Sequence, residues 1–215
     1  MRTKHSYARR SLRGFTLMEL MAVIAIMVTL AALTMVGFKS AQITASRNRT
    51  SAFHKSISVG LEQYFQDAGE YPTPRDPTSQ TSIQGKRFIV GPAKMLYQVL
   101  SSDGDDQIVL GQSRFGPSDG QWSTEESKYI RMTDMPKEMK LQTQDGFFLV
   151  DGFNKPFQYM KGPDRPRPGQ PPPTPNTMNT TFDLWSYAES EINTTETSLG
   201  AKRDIKISGK WIKNW

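Results

Sequence analysis

The stretch RGFTLMELMAVIAIMVTLAAL, residues 13–33, decides what kind of protein this chain is. It opens an apolar run that continues to residue 38, and as a helix that run would be about 36 Å long at 1.5 Å per residue. The hydrocarbon core of a bilayer is about 30 Å thick. The run therefore predicts one membrane-spanning helix. Glu19 lies near its start. A carboxylate is costly in lipid, so its presence there requires an explanation.

A basic leader precedes this run. Five of the six surplus positive charges lie before Gly14 with no acidic residue among them, so the rest of the chain carries +1. That distribution indicates an N-terminal targeting signal and argues against a nucleic-acid-binding protein. The apolar run exceeds the roughly 7–15 residues of a secretory signal, and no A-x-A cleavage pattern follows it. The leader should stay in the cytoplasm and the chain after about Lys39 should lie outside.

The same stretch resembles the N-terminal processing motif of type IV pilins and of the pseudopilins of type II secretion. The resemblance implies that a prepilin peptidase cleaves between Gly14 and Phe15 and that Phe15 is then N-methylated. It further implies that Glu19 pairs with the amine of Phe15 on a neighbouring subunit, so that two charges costly in lipid are buried together. A plain signal anchor with a chance glutamate is the alternative.

A second apolar stripe follows in SAFHKSISVGLEQYFQDAGEYP, residues 51–72. Spacings of three and four predict an amphipathic helix whose buried side chains are Phe53, Ile57, Leu61, Tyr64, Phe65 and Ala68. Gly69 is placed to cap this helix and Pro72 to stop it. One helix from residue 15 to about residue 68 is expected, with its outer half packed on a sheet.

Four later segments are similar to major pseudopilins and occur in that family's order. They are LEQYFQDAGEYPT (61–73), LVDGFNKPFQYM (149–160), TFDLWSYAESE (181–191) and RDIKISGKWIKNW (203–215). In the second, Phe153 and Asn154 stand where the family usually has Trp and Gly. The similarity covers about half of the chain.

The intervening chain is assigned from local patterns. KRFIV (86–90), QIVLG (107–111) and YIRM (129–132) favour strands, and PAKMLYQVLSS (92–102) favours a short helix. Residues 163–175 contain seven prolines and predict an exposed loop. The expected domains are the leader (1–14), the transmembrane helix (15–38), the exposed helical stem (39–70) and a globular pilin-like β domain (71–215).

Catalytic patterns are weak in this sequence. GPSDG (116–120) matches the G-x-S-x-G nucleophile elbow, which needs a downstream histidine, but His5 and His54 both lie upstream. DGDD (103–106) lacks the spacing of an EF-hand loop. We expect no catalytic residues and interpret His54 as a surface or packing residue rather than a ligand. The chain has no cysteine, which excludes disulfides and thiolate metal sites.

Calcium is the one cofactor that the resemblance raises. Major pseudopilins often bind Ca²⁺ in the loop after a Leu-x-Ser-x-Gly segment. Leu184 and Ser186 match that segment, but Ala188 replaces the glycine and Ser190 stands where an aspartate is expected. Other oxygen donors nearby are Glu189, Glu191 and Asp204. No metal site is assigned, and calcium stays an alternative.

The sequence thus predicts an α+β, pilin-like fold: a long N-terminal helix on a small antiparallel sheet with long loops. The function implied is that of a structural subunit of a type II secretion pseudopilus or a type IV pilus-like filament, without enzymatic activity. Its expected partners are copies of itself, minor pseudopilins, the prepilin peptidase, the inner-membrane assembly platform and lipid. The expected location is the bacterial inner membrane, with the C-terminal domain in the periplasm and the filament there or on the cell surface. A pilin-anchored surface binding module or adhesin is the alternative.

Overall fold

The computed structural model describes residues 14–74, 76–101, 130, 135–143, 146–164, 169, 171, 173–190 and 203–215. The chain divides into two compact units, and the boundary falls between Gln42 and Ile43. The predictions for QIVLG, GPSDG, DGDD and Glu191 lie outside the described residues, as does all of YIRM except Ile130.

Helix α1 covers Leu17–Ala68, 52 residues, and confirms the single long helix expected from the sequence. It ends where Gly69 was predicted to cap it. Gly69 has φ of +76°, a left-handed conformation that suits glycine, and its N–H donates to the carbonyl of Phe65 at 2.8 Å.

The predicted apolar stripe on α1 forms one side of the main hydrophobic core. Four of its residues are buried and two are partly buried, and they pack with α2 (Gly91–Ser101) and with strands of the second unit. The members from α1 are Phe53, Ile57, Leu61, Tyr64, Phe65 and Ala68. Gly60 permits close approach of α2, because a Cβ there would lie 2.7 Å from Cδ2 of Leu100.

Within the described residues, seven short strands form three antiparallel sheets. Strand β1 (Gln80–Ile83) pairs with β2 (Lys86–Ile89), and β3 (Lys140–Thr143) pairs with β4 (Gly146–Leu149). The third sheet has the order β5 (Gln158–Lys161), β6 (Phe182–Ser186) and β7 (Ile212–Lys213). A 3-10 turn at Lys137–Met139 and the short helix α3 (Ile205–Ser208) complete the described elements.

The described residues therefore form three small sheets where the sequence suggested one. Strands β4 and β5 approach each other in a hairpin, but only one bridge, Val150 to Pro156, joins them beyond the strands. Pro156 needs no N–H in this bridge, because the neighbouring residues make its hydrogen bonds: the N–H of Asp151 donates to the carbonyl of Lys155 at 2.8 Å and the N–H of Phe157 to that of Leu149 at 3.1 Å. The predicted strand KRFIV corresponds to β2 and the predicted helix PAKMLYQVLSS to α2.

Strand β6 lies at the centre of the third sheet and is buried along its whole length. Phe182 and Leu184 pack in the main core with α1, while Trp185 stacks on Trp211 with ring centroids 6.1 Å apart. Such alternation is expected when both faces of a strand are covered. The described residues of the proline-rich segment between β5 and β6 form no regular element and most are exposed, as predicted.

Candidate functional site

The first candidate site is the N-terminal part of α1. Large apolar side chains are exposed here: Phe15, which lies two residues before the helix, is 84% exposed, Met18 82% and Leu33 72%. One window of eighteen residues in this helix has a mean hydropathy of 2.5, and none of it is buried within the protein. The chain thus has, among its described residues, one N-terminal helix long and apolar enough to span a membrane.

Glu19 forms a capping box with Thr16 at the start of this helix. The Glu19 carboxylate accepts hydrogen bonds from the backbone N–H and the hydroxyl of Thr16, both at 2.9 Å. In return the Thr16 hydroxyl accepts the Glu19 backbone N–H at 3.2 Å. The two side chains thereby satisfy backbone donors that a helix start leaves unpaired. The T-x-x-E spacing is readable from the sequence, and our sequence interpretation missed it.

Gly14 is exposed and precedes the helix. A Cβ at this position would meet no described atom within 4 Å. A side chain here is therefore sterically compatible with the part of the chain that the structure describes, which gives no reason for glycine at residue 14.

The second candidate site is a polar junction at which α1, the 150–156 turn and the 186–190 loop meet. Its centre is Asp151, which is fully buried and accepts backbone N–H groups from Phe153 at 2.8 Å and Lys155 at 2.9 Å. The Ser186 hydroxyl donates to the other carboxylate oxygen. Burial raises the pKa of Asp151, opposed by these hydrogen bonds and by the positive charge of Lys155.

Lys155 connects the turn to the loop. Its ammonium donates to the carbonyl of Ala188 at 2.6 Å and to that of Ser190 at 2.7 Å. Ala188 has φ of +47°, uncommon for a residue with a side chain, and its N–H donates to the Ser186 hydroxyl at 2.9 Å. Backbone carbonyls and a backbone N–H of the loop are therefore all held by side-chain hydrogen bonds.

Helix α1 contributes to the same junction. Arg47 forms an ion pair with Glu189 and donates to the carbonyl of Lys210 at 3.0 Å. The Thr50 hydroxyl accepts the backbone N–H of Gly152 at 2.9 Å. Gly152 must be glycine for this approach, because a Cβ there would lie 2.6 Å from the carbonyl oxygen of Ser46.

The described oxygen donors in the region where the resemblance raises calcium have other partners here. The carbonyls of Ala188 and Ser190 accept from Lys155, and Glu189 pairs with Arg47. The Asp204 carboxylate caps α3 by accepting the Lys206 N–H at 2.8 Å. A Ca²⁺ ion beside the ammonium of Lys155 would be repelled by it. The described donor set therefore does not fit the ion.

His54 lies in the core beside β6. It is 6% exposed, and its Nε2 donates to the carbonyl of Leu184 at 3.0 Å. Burial lowers the pKa of His54, partly offset by that hydrogen bond. Of the two placements left open by the sequence, at the surface or in the packing, the structure shows the second. Among the described residues, no group of three or more His, Cys, Asp or Glu side chains could hold a metal.

A groove of about 640 Å³ lies beside the end of α1. The Phe65 and Tyr71 rings, stacked 4.7 Å apart, line it. Lys161 also lines it and pairs with Glu70 and Asp164 at 3.1 Å each. The groove carries aromatic surface and mixed charge.

No protein-family model, curated protein or solved structure matches the chain. The architecture is pilin-like. It combines a 52-residue N-terminal helix, apolar in its first part, with small antiparallel sheets on which the second part packs. Family membership and the roles of Gly14, Phe15 and Glu19 remain predictions from the sequence motif.

Proposed function

We propose that this chain is a structural subunit of a type II secretion pseudopilus or a type IV pilus-like filament. A prepilin peptidase removes residues 1–14 and Phe15 is N-methylated. The mature helix then polymerises with other copies and with minor pseudopilins at an inner-membrane assembly platform. The chain is held in the bacterial inner membrane, with its C-terminal domain in the periplasm. It catalyses no reaction.

One observation carries this proposal: no part of the chain that the structure describes covers the apolar part of α1. Its large apolar side chains, such as Leu17, Met27 and Phe38, are exposed, although exposure of so much apolar surface to water is strongly unfavourable. Lipid covers such a surface before assembly, and neighbouring helices cover it in a filament. The processing motif at Gly14 and Phe15 lies directly before this surface, as release into a filament requires.

The test is the mass and location of the mature chain. Intact-mass measurement on protein from membranes should give a chain that begins at N-methylated Phe15. Gly14→Val should leave the full-length precursor in the membrane, because a larger side chain blocks the peptidase. Gly37→Val is the matched control, since a Cβ at Gly37 also meets no described atom within 4 Å. A mature chain beginning after residue 33 would show cleavage by an ordinary signal peptidase and contradict the proposal.

The groove beside Phe65 and Tyr71 favours the alternative of a pilin-anchored binding module or adhesin. The two functions differ in stoichiometry. A filament subunit should account for much of the protein in sheared filaments, whereas a displayed binding module should be a minor component of filaments built from another chain. Quantitative mass spectrometry of the sheared fraction separates them.

A further inference from the structure

We propose that the ammonium of Lys155 serves as the built-in cation of the 186–190 loop, so that this loop is held without a divalent metal ion. The observation is the convergence of two backbone carbonyls, those of Ala188 and Ser190, on one nitrogen at 2.6 and 2.7 Å. Carbonyl oxygens that converge on one point lower their mutual repulsion by binding a positive charge. An ammonium supplies that charge and three N–H donors.

The turn that carries Lys155 fixes where its side chain begins. The N–H of Lys155 donates to the Asp151 carboxylate at 2.9 Å, and the N–H of Asp151 donates to the carbonyl of Lys155 at 2.8 Å. The Lys155 backbone is thus held from both sides. Less backbone freedom is then lost when the ammonium binds the loop.

The loop is fixed on the same carboxylate. Ser186 donates to Asp151 and accepts the N–H of Ala188, so one buried aspartate organises both the donor segment and the acceptor segment. The Ser190 N–H closes a further turn on the carbonyl of Tyr187 at 3.0 Å. With this geometry the carbonyls of residues 188 and 190 face the ammonium, and the negative charge of Asp151 lies near enough to interact with it.

The experiment uses the full-length chain in detergent micelles and does not depend on filament assembly. Thermal unfolding is followed by near-ultraviolet circular dichroism, which reports the packed Trp185 and Trp211 rings. The wild-type midpoint should agree within about 1 °C in millimolar CaCl₂, MgCl₂ or EDTA, because a shift of that size is below about 0.5 kcal/mol for a domain of this length.

Lys155→Met keeps the length of the side chain and removes its charge. Its midpoint should fall by roughly 4–10 °C, because two buried carbonyls lose their donor. Lys155→Gln keeps two N–H donors on a shorter, neutral side chain. Its midpoint should lie between those of the wild type and Lys155→Met, which keeps the test usable if the methionine variant does not fold. Lys161→Met, the matched control on β5, removes a lysine whose ion pairs are at the surface and should shift the midpoint by less than about 2 °C.

Two results would overturn the proposal. One is a wild-type midpoint that rises by several degrees in CaCl₂ but not in MgCl₂, which would show that the loop takes the metal despite Lys155. The other is a Lys155→Met or Lys155→Gln chain that unfolds at the same temperature as the Lys161→Met control. Neither result bears on whether the chain assembles into filaments, so the two proposals fail separately.

Discussion

At the scale of single residues, Glu19 has two candidate roles that a substitution can separate. The capping box with Thr16 needs hydrogen-bond acceptors, which glutamine also provides, whereas pairing with the amine of a neighbouring Phe15 needs a negative charge. We expect Glu19→Gln and Glu19→Ala to insert and mature normally yet to be lost from filaments. Glu19→Asp, which keeps the charge but has a shorter reach, should be intermediate.

The measurement for Glu19 is the fraction of cleaved protein in sheared filaments relative to membranes. If Glu19→Gln assembles like the wild type while Glu19→Ala does not, capping of the helix is the role that matters. Equal assembly of all variants would show that the carboxylate is only tolerated at the membrane surface.

His54 gives a prediction for pH. Burial lowers its pKa in the folded chain, so the protonated form favours the unfolded chain, where the pKa is about 6.5. The contribution of neutral His54 to the free energy of unfolding is therefore complete above about pH 6.5 and decreases as the pH falls below that value. His54→Gln keeps a donor for the Leu184 carbonyl but cannot be protonated, so its midpoint should fall less between neutral and mildly acidic pH.

The comparison of the wild type with His54→Gln cancels contributions that both chains share. One is the contribution of Asp151, whose pKa is raised in the folded chain. Protonation of Asp151 therefore favours the folded chain, so its contribution to the free energy of unfolding is complete at low pH and decreases as the pH rises. Thermal midpoints of both chains across this range are the measurement. If the midpoints of both chains change equally with pH, the protonation of His54 does not change on unfolding.

At the scale of elements, the contact between α1 and α2 depends on Gly60. A Cβ there would lie 2.7 Å from Cδ2 of the buried Leu100 and 3.4 Å from Cγ1 of Ile130. We expect Gly60→Val to destabilise the folded chain by about 1–3 kcal/mol through overpacking. Gly37→Val is the control on the same helix, and its thermal midpoint should be close to that of the wild type. A Gly60→Val chain as stable as this control would show that α2 can move away freely.

At the scale of the whole molecule, the boundary between Gln42 and Ile43 gives a prediction about solubility. A fragment that begins at Ile43 loses the membrane-length apolar run and keeps the core of α1, α2 and the sheets. Its remaining exposed apolar residues, such as Val59 and Ile205, are scattered, which is normal for a soluble surface. It should be a folded monomer by light scattering and near-ultraviolet circular dichroism. A stable oligomer would show that this unit itself carries assembly.

The sequence by itself determined the elements whose signal is local. The extent of α1 follows from an unbroken apolar run and a stripe of spacing three and four, and its end follows from Gly69, which supplies the positive φ of a helix cap. The strand β2 and helix α2 were also predictable, because periodicity within a few residues identifies them. The processing motif is likewise local, and its role stays a prediction.

Only the tertiary structure decided the polar junction and the division into three sheets. Lys155 reaches carbonyls 33 and 35 residues further along the chain, and Arg47 reaches a carboxylate 142 residues away. A contact between a side chain and a distant backbone carbonyl leaves no periodic pattern, because every residue offers the same carbonyl. The sequence therefore shows where the helices of this chain lie, and tertiary packing decides that Lys155 binds the 186–190 loop.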